Sequence, residues 1–208
     1  MRPSWHSTRG LTPRGSPAHC CIRRFLNRRT LAYHRVMPEG LDYRIAVLCY
    51  LFDRDGRILL LHRRKPPNLD LYSPIGGKLD LVSGESPTGC AVREIEEEAG
   101  LRVTPADLHL TGIVSEAGFE AEAHWLMFLY EVVGPVNVPE GVFREGALEW
   151  HPPAALDVLD IPGTDREVIW PLFWRYRRRF FMAHIDCRGE TLQWDLEQPA
   201  GDAAPSKV

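Results

Sequence analysis

A cluster of glutamates on one predicted helix constrains this 208-residue chain more than any other feature. The helix is predicted over 86–100, because this segment starts at a serine followed by a proline and ends at a glycine, residues that favour those positions. Glu97 and Glu98 follow Glu94 at i+3 and i+4 and therefore share its face. Carboxylates this close repel one another unless water solvates them or a divalent cation such as Mg²⁺ binds them. The cluster is therefore either a solvated acidic face or part of a metal site.

The sequence around this helix predicts a mixed α/β or α+β fold. Segments rich in β-branched and aromatic residues predict strands, and an Asp-Arg-Asp-Gly turn at 53–56 predicts that the first two strands form a β-hairpin. A loop with two prolines is expected over 134–146. The predicted strands are 43–52, 57–62, 108–116, 124–133, 147–151, 182–187 and 191–196, and the further helices are 152–159 and 164–180.

Charge divides the chain into two unlike parts. Residues 1–36 hold eight arginines and no Asp or Glu, so removing them from the net charge of −3 leaves −11 on the remaining residues. This basic segment could be an organellar transit peptide, a nucleic-acid-binding arm or an extension upstream of a domain that starts at Met37. We favour the third interpretation and predict a basic, disordered extension over 1–36, one domain over 37–198 and a polar tail over 199–208.

Cysteine usage and hydropathy predict the cellular compartment of the protein and its relation to membranes. The five cysteines are scattered without a C-x-x-C pair, which argues against a zinc site and is typical of a reduced, cytoplasmic chain. The longest uninterrupted apolar run is eight residues, 45–52, whereas a membrane-spanning helix needs about 20. We therefore expect a cytoplasmic protein with no membrane partner. Only the basic segment favours nucleic acid as a partner.

The glutamate cluster is part of a longer pattern with fixed spacing. Its specified positions are Glu85, Arg93, Glu94, Ile95, Glu97, Glu98, Gly100 and Leu101. The pattern resembles the signature of the Nudix hydrolases, which reads G-x5-E-x7-R-E-U-x-E-E-x-G-U with U aliphatic. Every specified position from Glu85 onward matches. The one departure precedes it, because seven residues rather than five separate Gly77 from Glu85, so the loop over 78–84 is two residues longer.

The resemblance implies a fold and a chemistry. Nudix hydrolases fold as single-domain α/β/α sandwiches with a mixed sheet, and they cleave a nucleoside diphosphate linked to another group with Mg²⁺ or Mn²⁺ as cofactor. By position, Glu94, Glu97 and Glu98 match the metal carboxylates, and Gly77 matches the glycine whose carbonyl oxygen can reach a metal. The supporting positions of the signature are Glu85, Arg93 and Gly100. The implied reaction is attack of a metal-activated water on phosphorus, with a carboxylate as general base.

The identity of the general base stays open at this point. Glu97 and Glu98 are the candidates within the signature, and a glutamate in a later loop is the other type of candidate in the family. The loop before the strand predicted over 147–151 resembles that later loop, so Glu145 is our first choice there, ahead of Glu120 and Glu149. Each of these three is also compatible with a solvated loop carboxylate.

Three further residues match substrate-binding positions of MutT-like members of the family. Arg64 and Lys78 match cations that neutralise substrate phosphates, although either is also typical of a solvated surface. Asp165 resembles a polar residue that recognises a purine edge, and a helix N-cap is the alternative interpretation. Three aromatic residues could stack on a base, although packing in the core is the favoured interpretation: Trp125, Phe128 and Trp170.

Three functions follow from the resemblance. The leading one is a Mg²⁺-dependent, MutT-like pyrophosphohydrolase whose substrate is a nucleoside triphosphate of the 8-oxo-dGTP type. The second is an ADP-ribose or dinucleotide pyrophosphatase, which would share the whole signature. The third is a non-catalytic nucleotide-binding module of the same fold, which is disfavoured because every carboxylate of the signature is present.

Overall fold

The computed structural model describes residues 40–198 except 67, 121, 122, 143 and 144. Within this part the strands and α-helices are, in chain order, β1 (Tyr43–Tyr50), β2 (Ile58–Arg63), β3 (Tyr72–Ser73), β4 (Ile75–Lys78), α1 (Pro87–Ala99), β5 (Leu108–Phe119), β6 (Ala123–Val132), β7 (Gly141–Val142), β8 (Gly146–His151), α2 (Trp170–Tyr176), β9 (Phe181–Asp186) and β10 (Gln193–Gln198). The predicted extension over 1–36 and tail over 199–208 lie outside the described residues, so the predicted domain limits stay predictions.

The strands form two sheets. The central sheet has six strands in the order β10-β9-β5-β6-β1-β4. It is mixed, because β1 is parallel to β6 and β5 is parallel to β9, whereas the other three pairs of adjacent strands are antiparallel. The second sheet has four strands in the order β3-β2-β8-β7, all antiparallel. The mixed sheet that the resemblance implied is thus confirmed.

Residue alternation along β1 creates a core on each face of the central sheet. Val47 and Cys49 belong to one buried cluster, to which α1 contributes, whereas Ala46 and Tyr50 belong to a second cluster, to which α2 contributes. Because successive residues of a strand face opposite sides, the central sheet lies between the two helices. This layering is the expected α/β/α sandwich.

The predicted hairpin at 43–62 is confirmed at its turn, but its two segments pair with each other only beside that turn. The Asp53 carboxylate accepts backbone hydrogen bonds from Asp55 at 2.9 Å and Arg57 at 2.8 Å, which builds the turn. Phe52 and Ile58 form an antiparallel bridge, and backbone hydrogen bonds run from the Asp53 N–H to the Arg57 carbonyl at 3.1 Å and from the Leu59 N–H to the Leu51 carbonyl at 3.0 Å. β1 continues in the central sheet while β2 joins the second sheet, because each strand is buried by its own neighbours.

Two predicted helices are shorter or tighter than expected. The segment 152–159 forms a 3₁₀ turn, Pro153–Asp157. The segment predicted over 164–180 begins as a π-helical turn, Asp165–Ile169, which leads into α2 and ends at Tyr176. Pro171 has no backbone N–H for the ordinary helical bond, and the residue before it donates to the Asp165 carbonyl, five residues back. The irregular turn therefore lies where the helix begins.

Helix α1 has the ends that the sequence predicts. The Ser86 hydroxyl accepts a hydrogen bond from the Gly89 backbone N–H at 3.1 Å, and Gly100 ends the helix in the left-handed conformation with φ of 62°. Both features satisfy backbone groups that a helix end leaves without partners. Among the described residues, no helix is long and apolar enough to cross a membrane.

We expect the Ser86 cap to contribute measurably to stability. Ser86→Ala removes the side-chain acceptor and should lower the free energy of unfolding by about 1 kcal/mol, whereas Ser86→Asp keeps an acceptor and should stay close to the wild type. Urea denaturation followed by circular dichroism measures both. Equal losses in the two variants would show that the hydroxyl does not act as a cap.

Candidate active site

The glutamates of α1 line one wall of a cavity of about 730 Å³. The side of α1 that bears Glu94 and Glu98 faces the protein, and these residues are only 9% and 8% exposed. Glu97 also lines the cavity but keeps 59% of its side chain exposed. The structure therefore brings together the three carboxylates that the signature marks, and it places two of them out of bulk water.

Arg93 holds the acidic cluster together. Its guanidinium makes a bidentate pair with Glu85, at 2.8 and 3.0 Å, and also donates to Glu94 at 2.6 Å and Glu97 at 3.1 Å. It reaches the Lys78 carbonyl at 3.2 Å as well. One planar cation thus ties the helix to the loop before it, an arrangement for which arginine is better suited than lysine.

The longer loop leaves this network intact. Asp80 and Glu85 close the loop on each other, because the Asp80 N–H donates to the Glu85 carboxylate at 2.9 Å and the Glu85 N–H donates to the Asp80 carbonyl at 3.1 Å. The residues between them extend outward, with Leu81 63% and Val82 99% exposed. The two extra residues therefore point into solvent and do not displace the helix.

Burial changes the protonation of the glutamates on the inner wall. Burial raises the pKa of Glu98 to about 7, although the hydrogen bond from the Gly76 N–H, at 3.1 Å, works in the opposite direction. Burial also raises the pKa of Glu94, while Arg93 opposes the change. Glu85 differs, since its hydrogen bonds from Arg93 lower its pKa to about 2. Glu98 can therefore gain or lose a proton near neutral pH.

Two glycines of β4 allow its backbone to approach the cluster. A Cβ atom on Gly77 would lie 2.2 Å from a Glu94 carboxylate oxygen, and one on Gly76 would lie 2.1 Å from the Val47 carbonyl oxygen. Both distances are far below van der Waals contact. The Val47 backbone therefore requires glycine at 76, whereas a side chain at 77 would displace the Glu94 carboxylate.

The donor set suits a hard divalent cation. In the described part of the chain, no group of three or more His, Cys, Asp or Glu side chains already stands as a metal cage. Arg93 occupies the space between Glu94 and Glu97 instead, and its charge offsets theirs. All the same, three carboxylates share one wall of a cavity, and carboxylate oxygens are ligands that Mg²⁺ and Mn²⁺ prefer. Burial raises the pKa values of two of them, Glu94 and Glu98.

The cavity also contains the glutamate expected from the later loop. Glu145 lies in the cavity wall, and its charge contributes to the raised pKa of both Glu94 and Glu98. The other two candidates lie elsewhere. Glu149 accepts a hydrogen bond from the Tyr72 hydroxyl at 3.0 Å, and Glu120 is an exposed residue after β5.

Among the described residues, the cations that line the cavity are Arg63 and Lys78. Lys78 was expected, and its ammonium also lies 5.6 Å from the centre of the Trp125 ring. Arg63 was missed, and its charge opposes the raised pKa of Glu98. Arg64, the expected residue, is exposed and its backbone N–H donates to the Glu145 carbonyl at 2.9 Å. Successive residues of a strand face opposite sides, so Arg63 and Arg64 could have been assigned to different faces if the end of β2 had been known.

The central sheet contributes apolar side chains to the same cavity. Phe119, Trp125 and Met127 line it. Asp165, expected from the sequence, lies there at 7% exposure, and Glu116 of β5, which was missed, lies there at 3%. Val114 of β5 points into the core, so alternation along the strand would have placed Glu116 on the same buried face.

The N-cap interpretation of Asp165 does not match its geometry. Asp165 is the first residue of the π-helical turn, Thr164 precedes that turn, and the end has no side-chain capping bond. Burial, followed by the charge of Glu116, raises the pKa of Asp165 to about 8. Burial likewise raises the pKa of Glu116 to about 7, opposed by a hydrogen bond with Thr164.

Comparison with known families identifies a match over most of the described chain. The NUDIX domain family matches residues 42–170. Diphosphoinositol polyphosphate phosphohydrolase 3-alpha from Mus musculus and its Homo sapiens counterpart are each 38% identical over 65 residues, which is 31% of this chain and 37% of theirs. The chain thus matches little more than a third of the length of these curated relatives.

Solved structures share the fold at low sequence identity. The MutT protein from Bacillus halodurans aligns with a TM-score of 0.59 at 23% identity, covering 75% of this chain and 99% of that one. The NUDIX domain of Shewanella oneidensis NrtR, solved with ADP ribose, aligns with a TM-score of 0.55 at 19% identity, covering 68% and 92%. At these identities the likeness concerns the fold alone.

We expect the Arg93 network to need a guanidinium. Arg93→Lys keeps the charge but cannot pair with Glu85 through two parallel bonds while also reaching Glu94, so the free energy of unfolding should fall by about 1–2 kcal/mol. Chemical denaturation measures this change. Arg102→Lys, which alters an exposed pair with Glu96 on the same helix, is the control and should change stability by less than about 0.5 kcal/mol. Equal losses of stability in the two variants would contradict the prediction that the network needs the Arg93 guanidinium.

The buried pair Glu116 and Asp165 should make the free protein less stable as pH rises. Both carboxyls have higher pKa values in the folded state, about 7 and about 8, than in an unfolded chain. Between about pH 4 and pH 8 the unfolded state therefore holds fewer protons, and stability should decline by on the order of 1 kcal/mol per pH unit. Thermal unfolding across this range measures the slope. The double variant Glu116→Gln, Asp165→Asn should have a flatter profile, and an unchanged slope would contradict the prediction.

Proposed function

Because the chain belongs to the Nudix family, we propose that it is an enzyme that hydrolyses a phosphoanhydride bond of a nucleotide with a divalent cation as cofactor. The substrate class we propose is a nucleoside triphosphate, cleaved to the monophosphate and pyrophosphate. The observation that supports this choice best is that one cavity is lined both by the carboxylates of the signature and by apolar and aromatic side chains of the central sheet. A nucleotide suits both kinds of lining, because its phosphates are charged and its base is a flat, largely apolar ring.

The carboxylates of the cavity are the groups that the reaction needs. Glu94, Glu97 and Glu98 would hold Mg²⁺ or Mn²⁺, with the Gly77 carbonyl as a further oxygen. The cation supplies charge neutralisation and lowers the pKa of a bound water. Arg93 does not contact substrate in this proposal. It keeps Glu94 and Glu97 in position through the bonds that it shares with Glu85.

Proton transfer falls to a carboxylate that can be fixed beside the attacking water. We propose Glu98, because it lines the cavity together with the other carboxylates of the signature and the Gly76 N–H fixes one of its oxygens at 3.1 Å. Glu145 is the second candidate. It lines the same cavity from the loop before β8, with 49% of its side chain exposed, and could act on a water on the opposite side of the substrate.

Lys78 and Arg63 would bind the phosphates that the cation does not reach. Both line the cavity, and a positive charge there offsets the phosphate charge. Arg64, which matches the family position, is exposed and would meet only a phosphate that extends beyond the cavity.

Two other substrate classes are represented among similar proteins. The curated relatives are named for diphosphoinositol polyphosphates, but such polyanions need many cations, and the described residues that line the cavity include two cations, Arg63 and Lys78, and six carboxyl groups. The NrtR domain was solved with ADP ribose, whose adenine could contact apolar side chains such as those of this cavity. ADP-ribose is therefore the second candidate, whereas a non-catalytic nucleotide-binding role is disfavoured by the intact carboxylates.

The proposed function predicts cation-dependent turnover that one glutamine substitution abolishes. With Mg²⁺ and a panel of nucleoside triphosphates, the wild type should release pyrophosphate, and chelation should stop the release. Glu98→Gln should lower kcat at least a hundredfold, because the substitution removes both a metal oxygen and the proposed base. Pyrophosphate and monophosphate are separated by anion-exchange chromatography.

Glu96→Gln is the matched control, since Glu96 lies on the same helix and pairs with Arg102 away from the cavity. Its kcat should equal that of the wild type. ADP-ribose in the same assay tests the second candidate. Preferential release of AMP and ribose 5-phosphate would favour ADP-ribose over a nucleoside triphosphate as the substrate. Absence of cation-dependent turnover with either substrate class would overturn the proposed function.

A further inference from the structure

A second cavity, of about 370 Å³, lies where two parallel neighbours of the central sheet end. Phe52 follows β1 by two residues, Glu131 is near the end of β6, and Gly134 and Pro135 come shortly after that strand. Among the described residues, none that lines this cavity also lines the candidate active site. The second cavity is therefore separate from the proposed reaction.

Three arginines line this second cavity: Arg54, Arg177 and Arg178. Arg54 lies in the turn before β2 and Arg178 lies two residues after α2, and both are exposed. Within the described part of the chain, neither of these two guanidinium groups takes part in a hydrogen bond or an ion pair. The residues after position 36 carry a net charge of −11, so this is a local concentration of positive charge on an acidic chain.

The acidic side chains of the second cavity are already engaged by other groups. The Glu131 carboxylate accepts hydrogen bonds from Nε and Nη2 of Arg177 at 2.9 and 2.7 Å. The Asp53 carboxylate accepts one from the Arg57 side chain at 2.6 Å and two from backbone N–H groups of its own turn. Each carboxylate thus has its own arginine. The charges of the two exposed arginines remain unbalanced, and a bound anion would offset them.

Arg177 is held in place by the protein itself. Its guanidinium carbon lies 3.9 Å from the centre of the Phe52 ring and 5.3 Å from that of Trp174, and its partner Glu131 is only 3% exposed. Glu131 engages Nε and Nη2, so Nη1 is left for another acceptor. A donor that is already ordered loses little conformational entropy when it binds a ligand. The second cavity therefore has one fixed guanidinium beside two adaptable ones.

We propose that Arg54, Arg177 and Arg178 form a second anion site, separate from the candidate active site, that binds a terminal phosphate group. Guanidinium groups match phosphate oxygens through paired, charge-assisted hydrogen bonds. A terminal phosphate carries about two negative charges at neutral pH, which balances the two exposed arginines. A phosphodiester carries one charge and balances only half of that. The proposal does not rest on the proposed function, because its residues do not line the first cavity.

The alternative is that these arginines form a solvated basic surface that attracts every anion weakly. The two cases differ in how binding depends on individual residues. A solvated surface responds to ionic strength and to the loss of any exposed cation. A built site depends on its own arginines, and each charge-assisted contact that is lost should weaken binding about tenfold.

The test measures binding of inorganic pyrophosphate to the protein by isothermal titration calorimetry in a chelating buffer. The wild type should bind saturably at one site, because without a divalent cation the carboxylates of the first cavity repel the anion. Arg178→Gly should weaken binding at least tenfold. It should still fold, since Arg178 has a φ of 59° and glycine adopts this left-handed conformation readily. Arg54→Gln should weaken binding to a similar extent.

Two control variants make the result specific. Arg102→Gln also removes one exposed positive charge, beside Glu96, and should leave pyrophosphate binding unchanged. Lys78→Gln alters the first cavity and should leave it unchanged as well. Equal weakening by Arg102→Gln and Arg178→Gly would overturn the proposal, as would loss of binding through Lys78→Gln rather than Arg178→Gly. Absence of saturable binding to the wild type would also overturn it, whatever the outcome of the turnover assay.

A short RNA with a 5′-phosphate, compared with the same RNA bearing a 5′-hydroxyl, identifies the source of the phosphate. Preference for the phosphorylated RNA, lost in Arg178→Gly, would assign the end of a nucleotide chain to the site. Binding of pyrophosphate without binding of either RNA would assign a free anion. Equal binding of both RNAs that depends on Arg178 would show contact with phosphodiesters and would overturn the assignment of a terminal phosphate.

Discussion

The pairing of Arg93 with the acidic residues around it is the interaction on which the site depends. Without a cation between them, Glu94 and Glu97 would repel each other on one face of α1. The guanidinium offsets that repulsion and, through its bidentate contact with Glu85, fixes the loop that leads into the helix. The close approach of β4 at Gly77 then becomes possible, so the wall of the cavity is assembled before any substrate arrives.

Carboxyl groups are buried in two different ways in the cavity. A guanidinium and the Gly76 N–H stabilise negative charge beside Glu94 and Glu98. No cation pairs with Glu116 or Asp165 in the described part of the chain, and burial favours their protonated forms. Charged groups suit phosphates and a divalent cation, whereas the apolar side chains of the central sheet suit a neutral ring.

Most of the fold was predictable because it depends on local patterns. The ends of α1 follow from Ser86 and Gly100, and the strands follow from alternating burial. The predicted hairpin is limited to the residues beside its turn for a non-local reason, since β1 pairs in parallel with β6, more than seventy residues later, and β2 pairs with β8. The π-helical turn before Pro171 was equally hidden, because a sequence pattern does not distinguish it from an ordinary first turn.

The family signature is legible in the printed sequence, as are the helix that bears it and the shared face of Glu94, Glu97 and Glu98, because these depend on spacing within a few turns of one helix. Tertiary structure was needed to show that Glu145, Lys78 and Asp165 meet this helix in one cavity and that Arg63 rather than Arg64 lines it. It alone placed Glu116 beside Asp165. Those residues come from separate strands and turns, and their proximity is fixed by the packing of the two sheets and not by any local spacing.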